Sequence, residues 1–231
     1  MKKILCIALS LIAIATAFAA CGKSSIKDTA IVPGVNGEIA AVTQENGDSL
    51  RDDDGNMIVV VTNPDGKPIK DENGENATMP VEVSHCMVIG DKIEYSSFSV
   101  TIPDGWKAGK VYDRAVINSD DKNETDKIVI VSKPLSEYDP AGAAPGSELF
   151  SLTLGSDQIK VTKNTKDKVT IAGVEAERTR VDLTSDVIET RVLSYYQFQG
   201  PNSVYGVTCY SKDASTADKV FEEVLNTMVL Y

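Results

Sequence analysis

The segment 169–210, VTIAGVEAERTRVDLTSDVIETRVLSYYQFQGPNSVYGVTCY, decides the fold. It contains four runs rich in β-branched and aromatic residues, separated by short turn sequences at Gly173, 184–186 and 200–202. Such residues favour strands, and connections this short favour antiparallel neighbours. The segment therefore predicts an antiparallel meander. Its strands are expected at Val169–Ile171, Val174–Leu183, Val187–Phe198 and Ser203–Tyr210.

The end of the chain has the pattern of an amphipathic helix. Ser215 and Asp218 have the spacing of a capping box, with Asp in the place of the usual Glu. Apolar residues then recur every three or four positions, which is typical of a helix with one buried face. A short helix is stable when that face covers another element, so we expect it to pack on the sheet. The apolar positions are Ala217, Val220, Phe221, Val224, Leu225 and Met228.

Further strands are predicted upstream of the meander. Ser97–Ile102 alternates polar and apolar residues, as a half-buried strand does. Ala115–Ile117 and Ile128–Val131 are short apolar runs of strand character, whereas Ser147–Leu154 fits either a helix or a strand. The sequence thus predicts an α+β fold for a globular domain at 81–231. The expected core is an antiparallel β-sheet of about six or seven strands with a C-terminal amphipathic helix packed on it.

The string FSVTIPDGW at Phe98–Trp106 adds a family resemblance. With the meander and the terminal helix, the pattern F-x-V-x-I-P-x-G-W resembles the PsbP-like family over about Ile93–Tyr231. That family includes the extrinsic protein of the oxygen-evolving complex and many bacterial lipoproteins of unknown role. The resemblance implies an α-β-α sandwich and a non-catalytic accessory role. It carries over no metal or partner residues, because no ligand positions match.

The first 21 residues have the layout of an export signal. Two lysines precede an apolar stretch at 4–18, and Phe18-Ala19-Ala20-Cys21 ends it. That tetrad resembles a bacterial lipobox, whose cysteine is lipidated and becomes the new N-terminus. We expect a lipoprotein signal peptide at 1–20, a lipid anchor on Cys21 and a location on the extracytoplasmic face of the cell membrane. The alternative is cleavage at the A-x-A pattern of 17–19, which would release a secreted protein.

Residues 21–80 differ in composition from the rest of the chain. Beyond Cys21 they are rich in Gly, Asn, Asp and Pro and contain no aromatic residue. We therefore expect a flexible acidic tether between the anchor and the domain. Met57–Thr62 has strong β character and allows an alternative, a hairpin arm or an extra edge strand. Four turn units recur in this span, at Asn46-Gly47, Asp54-Gly55, Asp65-Gly66 and Asn73-Gly74.

Composition and motifs exclude several classes of function. The net charge is −11 and the pI about 4.6, so the chain has no basic footprint for nucleic acid. One histidine excludes a His-rich zinc site, and no acidic turn has a ligand at the first position of an EF-hand loop. Neither G-x-S-x-G nor G-x-G-x-x-G occurs. We therefore predict no metal, no cofactor and no catalytic site.

The expected function is an accessory or binding domain, membrane-anchored through lipid, that contacts a protein partner in the cell envelope. The alternative is an envelope hydrolase or a small-ligand-binding enzyme whose site the sequence does not reveal. Exported thiols meet oxidising conditions, so Cys86 and Cys209 are candidates for a disulfide; two buried thiols are the alternative. His85 beside Cys86 does not suggest catalysis, because neighbours on a strand point to opposite faces.

Five side chains are candidates for contacts with a partner or ligand. Trp106 follows a strand and a turn, where it either covers the core or meets a partner, and its large apolar area favours burial. Arg178 and Arg180 share one face of a strand. We expect cross-strand ion pairing in this region, with Glu189 and Arg191 opposite, and a bound anion as the alternative. The candidates are Trp106, Tyr138, Arg178, Arg180 and Arg191.

Overall fold

The structure, a computed structural model, describes residues 29–34, 37–45, 48–63, 67–83, 86–109, 114–120 and 126–231, with side chains from residue 41 onward. The expected signal peptide at 1–20, the lipidation site Cys21 and His85 lie outside these residues, as do Asn46-Gly47 and Asp65-Gly66. Within the described ranges, no helix combines the length and apolar content needed to cross a bilayer.

The described chain consists mostly of β-strands. In chain order the strands are β1 (Thr29–Gly34), β2 (Gly37–Val42), β3 (Met57–Val60), β4 (Thr78–Val81), β5 (Met87–Ile89), β6 (Lys92–Glu94), β7 (Phe98–Thr101), β8 (Trp106–Ala108), β9 (Ala115–Ser119), β10 (Lys127–Pro134), β11 (Ile159–Ile171), β12 (Val174–Ser185), β13 (Val192–Gln199), β14 (Ser203–Ser211) and β15 (Val229–Leu230). The helices in these ranges are α1 (Ser147–Leu154) and α2 (Ala217–Leu225).

In the described residues these strands form three antiparallel sheets. The largest has seven strands in the order β11-β12-β13-β14-β10-β9-β8. A four-stranded sheet has the order β15-β7-β6-β5, and another the order β1-β2-β3-β4. Strands β11 to β14 pair consecutively, as the turn sequences predict. The α+β class with an antiparallel sheet of seven strands is therefore confirmed.

Two strands of the meander start at unexpected positions. β11 begins at Ile159, well before the predicted Val169, and nearly all its side chains are exposed at the edge of the sheet. An edge strand without a buried face has no polar–apolar alternation to detect. β13 begins at Val192 rather than Val187, because the Ser185 hydroxyl accepts hydrogen bonds from two following backbone N–H groups and holds them in a turn.

One large cluster of buried side chains includes residues from the seven-stranded sheet, from β6 and β7, and from α2. The rings of Phe98 and Phe198 both contact the ring of Tyr205, at centroid distances of 6.0 and 5.1 Å. The Tyr205 hydroxyl donates to the backbone oxygen of Ser97 at 2.6 Å, so the polar end of this buried side chain is satisfied. The buried residues of α2 are Ala217, Phe221, Val224 and Leu225.

The start of α2 differs from the predicted capping box. The N-cap residue is Thr216, and it makes no side-chain cap bond. The Asp213 carboxylate instead accepts hydrogen bonds from the Ser215 hydroxyl at 2.6 Å, the Ser215 backbone N–H at 2.8 Å and the Thr216 hydroxyl at 2.9 Å. These bonds, those of Ser215 first, lower the pKa of Asp213 to about 2. Asp218 does not cap, because it pairs with the arginines of β12.

The tether predicted for 21–80 is corrected, because the described part of this span contains the sheet of β1–β4. All four side chains of β3 are buried. Alternate residues of β3 join two small clusters, one shared with β5 and one with β2. The apolar run at Met57–Thr62 therefore contributes a central strand of a sheet rather than an edge strand, and the segment is part of the fold.

The acidic turns share a hydrogen-bond scheme that makes them rigid connections. The backbone N–H of Asp52 donates to the oxygen of Asn56 at 3.0 Å, and that of Asp71 to the oxygen of Glu75 at 2.8 Å. In each turn the first Asp also accepts, through its side chain, the backbone N–H groups two and four residues further on. Asp side chains favour turns through such bonds.

A buried ion pair joins the sheet of β1–β4, the N-terminal sheet, to the main domain, which consists of β5–β15, α1 and α2. Arg51 donates to Glu94 of β6 at 2.9 Å and to the backbone oxygen of Tyr95 at 2.7 Å. Its guanidinium carbon lies 4.0 Å from the ring centroid of Tyr231, and the Ser49 hydroxyl donates to the second Glu94 oxygen at 3.0 Å. The Arg51 and Glu94 side chains are 6% and 1% exposed. Such added bonds offset the desolvation of a buried pair.

Candidate functional site

An open groove of about 300 Å³ lies between α2 and the turn that follows β7. We call it the Trp106 groove. Its lining is mainly apolar, and its polar residues are two threonines and one glutamate. The lining residues are Thr101, Pro103, Trp106, Val220, Glu223, Val224 and Thr227.

Backbone hydrogen bonds fix the two sides of the groove. In the turn, Trp106 donates its backbone N–H to the oxygen of Pro103 at 3.0 Å. Gly105 has a φ of 75°, which glycine adopts without strain. Beyond α2, the Thr227 hydroxyl accepts the backbone N–H of Thr101 at 3.0 Å. This last bond ties the end of the helix to the end of β7, so the groove has a defined width.

Trp106 is half-buried. This exposure lies between the two predicted positions, one covering the core and the other facing a partner. Part of the indole packs against the main core cluster, and part of it lines the groove. Trp106 therefore packs on the core, as the predicted position over the core requires, and also lines the groove. An indole in this position supports packing and offers an apolar surface and an N–H donor to a ligand.

Glu223 supplies the charge of the groove lining. Its side chain is 65% exposed, and the ammonium group of Lys219 lies 3.7 Å away, one helical turn back. An exposed pair at this spacing contributes only about 0.3–0.5 kcal/mol, so the Glu223 carboxylate can still bind another cation. Electrostatically, the groove is an apolar surface with one carboxylate at its rim.

Arg178 is engaged by carboxylates on another flank of α2. It pairs with Asp167 of β11 at 2.5 Å and with Glu222 of α2 at 2.7 Å. The hydrogen bonds to Asp167 raise the pKa of Arg178, and the same bonds lower the pKa of Asp167. Arg178 thus forms the expected kind of ion pair, but its partners are on β11 and α2 rather than at Glu189.

Arg180 and Arg191 also bond within the protein. Arg180 donates to Asp182 at 3.0 Å and pairs with Asp218 of α2. Arg191 donates to the backbone oxygen of Ile188 at 2.9 Å and holds the loop before β13. The cross-strand arrangement predicted for Arg191 is therefore corrected. Because β13 begins after this residue, Arg191 is not opposite the arginines of β12.

The predicted contact residues do not converge on one site. The Tyr138 hydroxyl accepts a bond from the Gln197 amide at 3.3 Å on β13, away from the groove residues. Of the five candidates, only Trp106 lines the groove. Sequence reasoning missed Glu223 and Val220 as site residues. The helical stripe marked Val220 as apolar, but nothing local indicates that it faces the turn at Pro103.

The two cysteines Cys86 and Cys209 are thiols in the structure, not a disulfide. Cys209 is fully buried in the main cluster, and Cys86 packs against the same cluster. Burial raises the pKa of the Cys209 thiol, which keeps it protonated and unreactive. The arrangement is the predicted alternative of packed thiols. Among the described residues, no group of three or more His, Cys, Asp or Glu side chains could hold a metal ion.

The fold and the groove together define an α+β protein with antiparallel sheets and an open, mainly apolar groove. No protein-family model matches the chain, and no curated protein matches it. Solved structures show partial likenesses. Cyanobacterial PsbP from Synechocystis is 11% identical, with 58% of this chain and 87% of that chain covered and a TM-score of 0.41.

Two further solved structures resemble the same share of the chain. A protein from Bacteroides thetaiotaomicron is 13% identical, with 59% of this chain and 46% of that chain covered and a TM-score of 0.30. The Ran-binding protein Mog1p of Saccharomyces cerevisiae is 9% identical, with 58% of this chain and 90% of that chain covered and a TM-score of 0.33. The fold class stated above rests on the sheets and helices of this chain itself.

Proposed function

We propose that the protein is a PsbP-like lipoprotein, anchored on the extracytoplasmic face of the cell membrane, whose folded part binds a protein partner in the envelope. The Trp106 groove is the proposed contact site. The observation that carries the binding role is the half-buried Trp106 beside an open apolar wall on α2. The anchor is supported by the signal pattern of 1–20 and by Cys21.

The anchor would hold the fold close to the bilayer. Thr29, the first residue of β1, is eight positions after Cys21, and this length of chain spans at most about 28 Å when fully extended. Two acyl chains give stable membrane attachment, whereas one gives only marginal binding. A diacylglyceryl group on Cys21 would therefore keep the groove within reach of neighbouring membrane proteins.

Lipidation is tested by metabolic labelling with an alkyne fatty acid, followed by fractionation. We expect label and membrane partitioning in the natural chain and the loss of both in Cys21→Ser. Cys6→Ser is the matched control, since Cys6 lies inside the signal and should leave both readouts unchanged. Equal labelling of Cys21→Ser and the natural chain would overturn the anchor.

The binding role is tested by photo-crosslinking in intact cells. A benzophenone amino acid replaces Thr227, which is exposed at the groove rim, or Thr165, which is exposed on β11. We expect a discrete protein adduct from position 227 that Trp106→Ala weakens, and no such adduct from position 165. The same adducts at both positions, or none at position 227, would argue against the groove as a protein contact.

A further inference from the structure

We infer that the Trp106 groove accepts an arginine or lysine side chain of its partner. This inference rests on the proposed function and specifies the chemistry of the same site. It combines three features of the groove that a basic side chain needs. They are an apolar wall for its methylene stem, an aromatic ring for its cation, and a carboxylate at the rim for its charge.

The apolar wall consists of Pro103 on one side and Val220 and Val224 on the other. Basic side chains bury their methylene stems along apolar surfaces while keeping the charged head near water. Because the groove is open, a stem lying against these residues leaves its head at the rim. An aspartate or glutamate side chain has too short a stem to use this wall.

The aromatic ring and the carboxylate belong to the same groove lining as the apolar wall, so both are available to the head of such a side chain. A guanidinium or ammonium group over an indole is attracted by the ring electrons, and Trp106 lines the groove. Glu223 lies on the same stripe of α2 as Val220 and Val224, and its side chain is 65% exposed. Its existing pair with Lys219 is long, at 3.7 Å, and exposed, so an incoming cation can compete for it.

The surrounding charge also favours a basic occupant. The chain carries a net charge of −11, and long-range attraction speeds the approach of a positively charged surface. Asp104 is exposed in the same turn as Trp106. Lys107 follows Trp106, but its ammonium group lies 3.7 Å from the Asp120 carboxylate. An acidic side chain would meet Glu223 and Asp104 with unfavourable charge.

The single tryptophan of the chain makes a direct binding assay feasible. In the full chain in detergent micelles, labelled with ¹⁵N-tryptophan, the only indole N–H signal is that of Trp106. The probes are N-acetyl-argininamide, N-acetyl-lysinamide and, as a neutral analogue of arginine's shape, N-acetyl-citrullinamide. We expect saturable shifts of the indole signal with the two basic probes, weakened by added salt, and a much smaller shift with the citrulline probe.

Two matched variants test whether the Glu223 carboxylate is the charge that binds the basic probes. Glu223→Gln should weaken arginine binding about two- to fivefold, the range expected for one exposed ion pair. Glu148→Gln removes an exposed carboxylate from α1 and should leave binding unchanged. Both variants keep Trp106, so the dispersion of the indole signal also reports whether each is folded.

The results separate this inference from the proposed function. If citrulline and arginine shift the signal equally, or if no basic probe shifts it, recognition of a basic side chain is wrong. A retained crosslink at position 227 would then still support a protein-binding groove. If arginine binds but position 227 gives no adduct, the chemistry of the groove stands and the proposed partner contact fails.

Discussion

The N-terminal sheet of β1–β4 and the seven-stranded sheet are held in different ways. The main cluster, which includes the seven-stranded sheet, contains twenty buried apolar residues. The two clusters around the N-terminal sheet contain five and three. Apolar burial therefore contributes much less to the stability of the N-terminal sheet than to that of the main domain. Besides these small clusters, the N-terminal sheet is held by hydrogen-bonded acidic turns, by the buried pair of Arg51 and Glu94, and by the ion pair of Lys92 with Asp48.

The comparison shows that polar interactions contribute a larger share of the stability where apolar burial is small. In the main domain, removing one ion pair leaves a large apolar core in place. The Arg51–Glu94 pair is one of the connections between the N-terminal sheet and the main domain, and its hydrogen bonds also reach Ser49 and Tyr95. The other connections are the small apolar cluster shared with β5 and the ion pair of Lys92 with Asp48. Four variants, taken from the largest expected effect to the smallest, test this difference.

Phe221→Ala should have the largest effect, because this residue of α2 is fully buried in the main cluster. We expect a loss of about 3–5 kcal/mol in the free energy of unfolding, the range for removing a large buried side chain. Urea melts followed by far-UV circular dichroism measure it. Lys219→Ala on the same helix is the control and should change stability by less than about 0.5 kcal/mol. Similar melts for both variants would contradict a core role for α2.

Arg51→Met should loosen the attachment of the N-terminal sheet to the main domain. Removing one partner of a buried pair leaves the other charge uncompensated, at a cost of about 3 kcal/mol. Hydrogen exchange should accelerate at β3 and remain slow at β14. The matched control is Lys168→Met, which removes an exposed pair with Glu175 and should leave exchange at β3 unchanged. Equal acceleration at β3 and β14 would mean that the two regions unfold as one unit.

Asp71→Ala should loosen one acidic turn without separating the layers. It removes two hydrogen bonds to backbone N–H groups, which we expect to cost about 0.5–1.5 kcal/mol locally. Exchange should accelerate at Asn73 and Glu75 and stay unchanged at β6. Glu72→Ala is the neighbouring control, because that side chain takes no part in the shared scheme. Fast exchange of these amides already in the natural chain would instead favour the flexible tether.

Asp213 tests whether the same kind of turn operates in the main domain, at the start of α2. Its folded pKa of about 2 lies below the ordinary value of 3.8. Its stabilising contribution is therefore complete above pH 3.8 and is lost as the pH falls from 3.8 to about 2. Carboxyl-carbon NMR titration should give a midpoint near 2, and Ser215→Ala should raise it. Ser156→Ala, in a different turn, should not. A midpoint near 3.8 in the natural chain would contradict the hydrogen bonds to Asp213, and with them the role of this turn in starting α2.

Local patterns in the sequence determined much of the seven-stranded sheet and also strand β7 of the four-stranded sheet β15-β7-β6-β5. Alternation at Ser97–Ile102 and the turn residues between β12, β13 and β14 act within a few positions, so they can be detected without the fold. The helix at the end of the chain was predicted from its apolar stripe for the same reason. β11 was missed over most of its length, because an exposed edge strand lacks that alternation.

Tertiary structure alone decided the role of the N-terminal segment and the location of the groove. The apolar residues of β3 are buried on both faces, and the partners that bury them lie in β2 and β5. Asp218 has the spacing of a cap, but the arginines of β12 bind it. The groove combines residues 101–106 with 220–227. These regions meet only because the sheet and helix bury a common core, and no short stretch of sequence records such a contact.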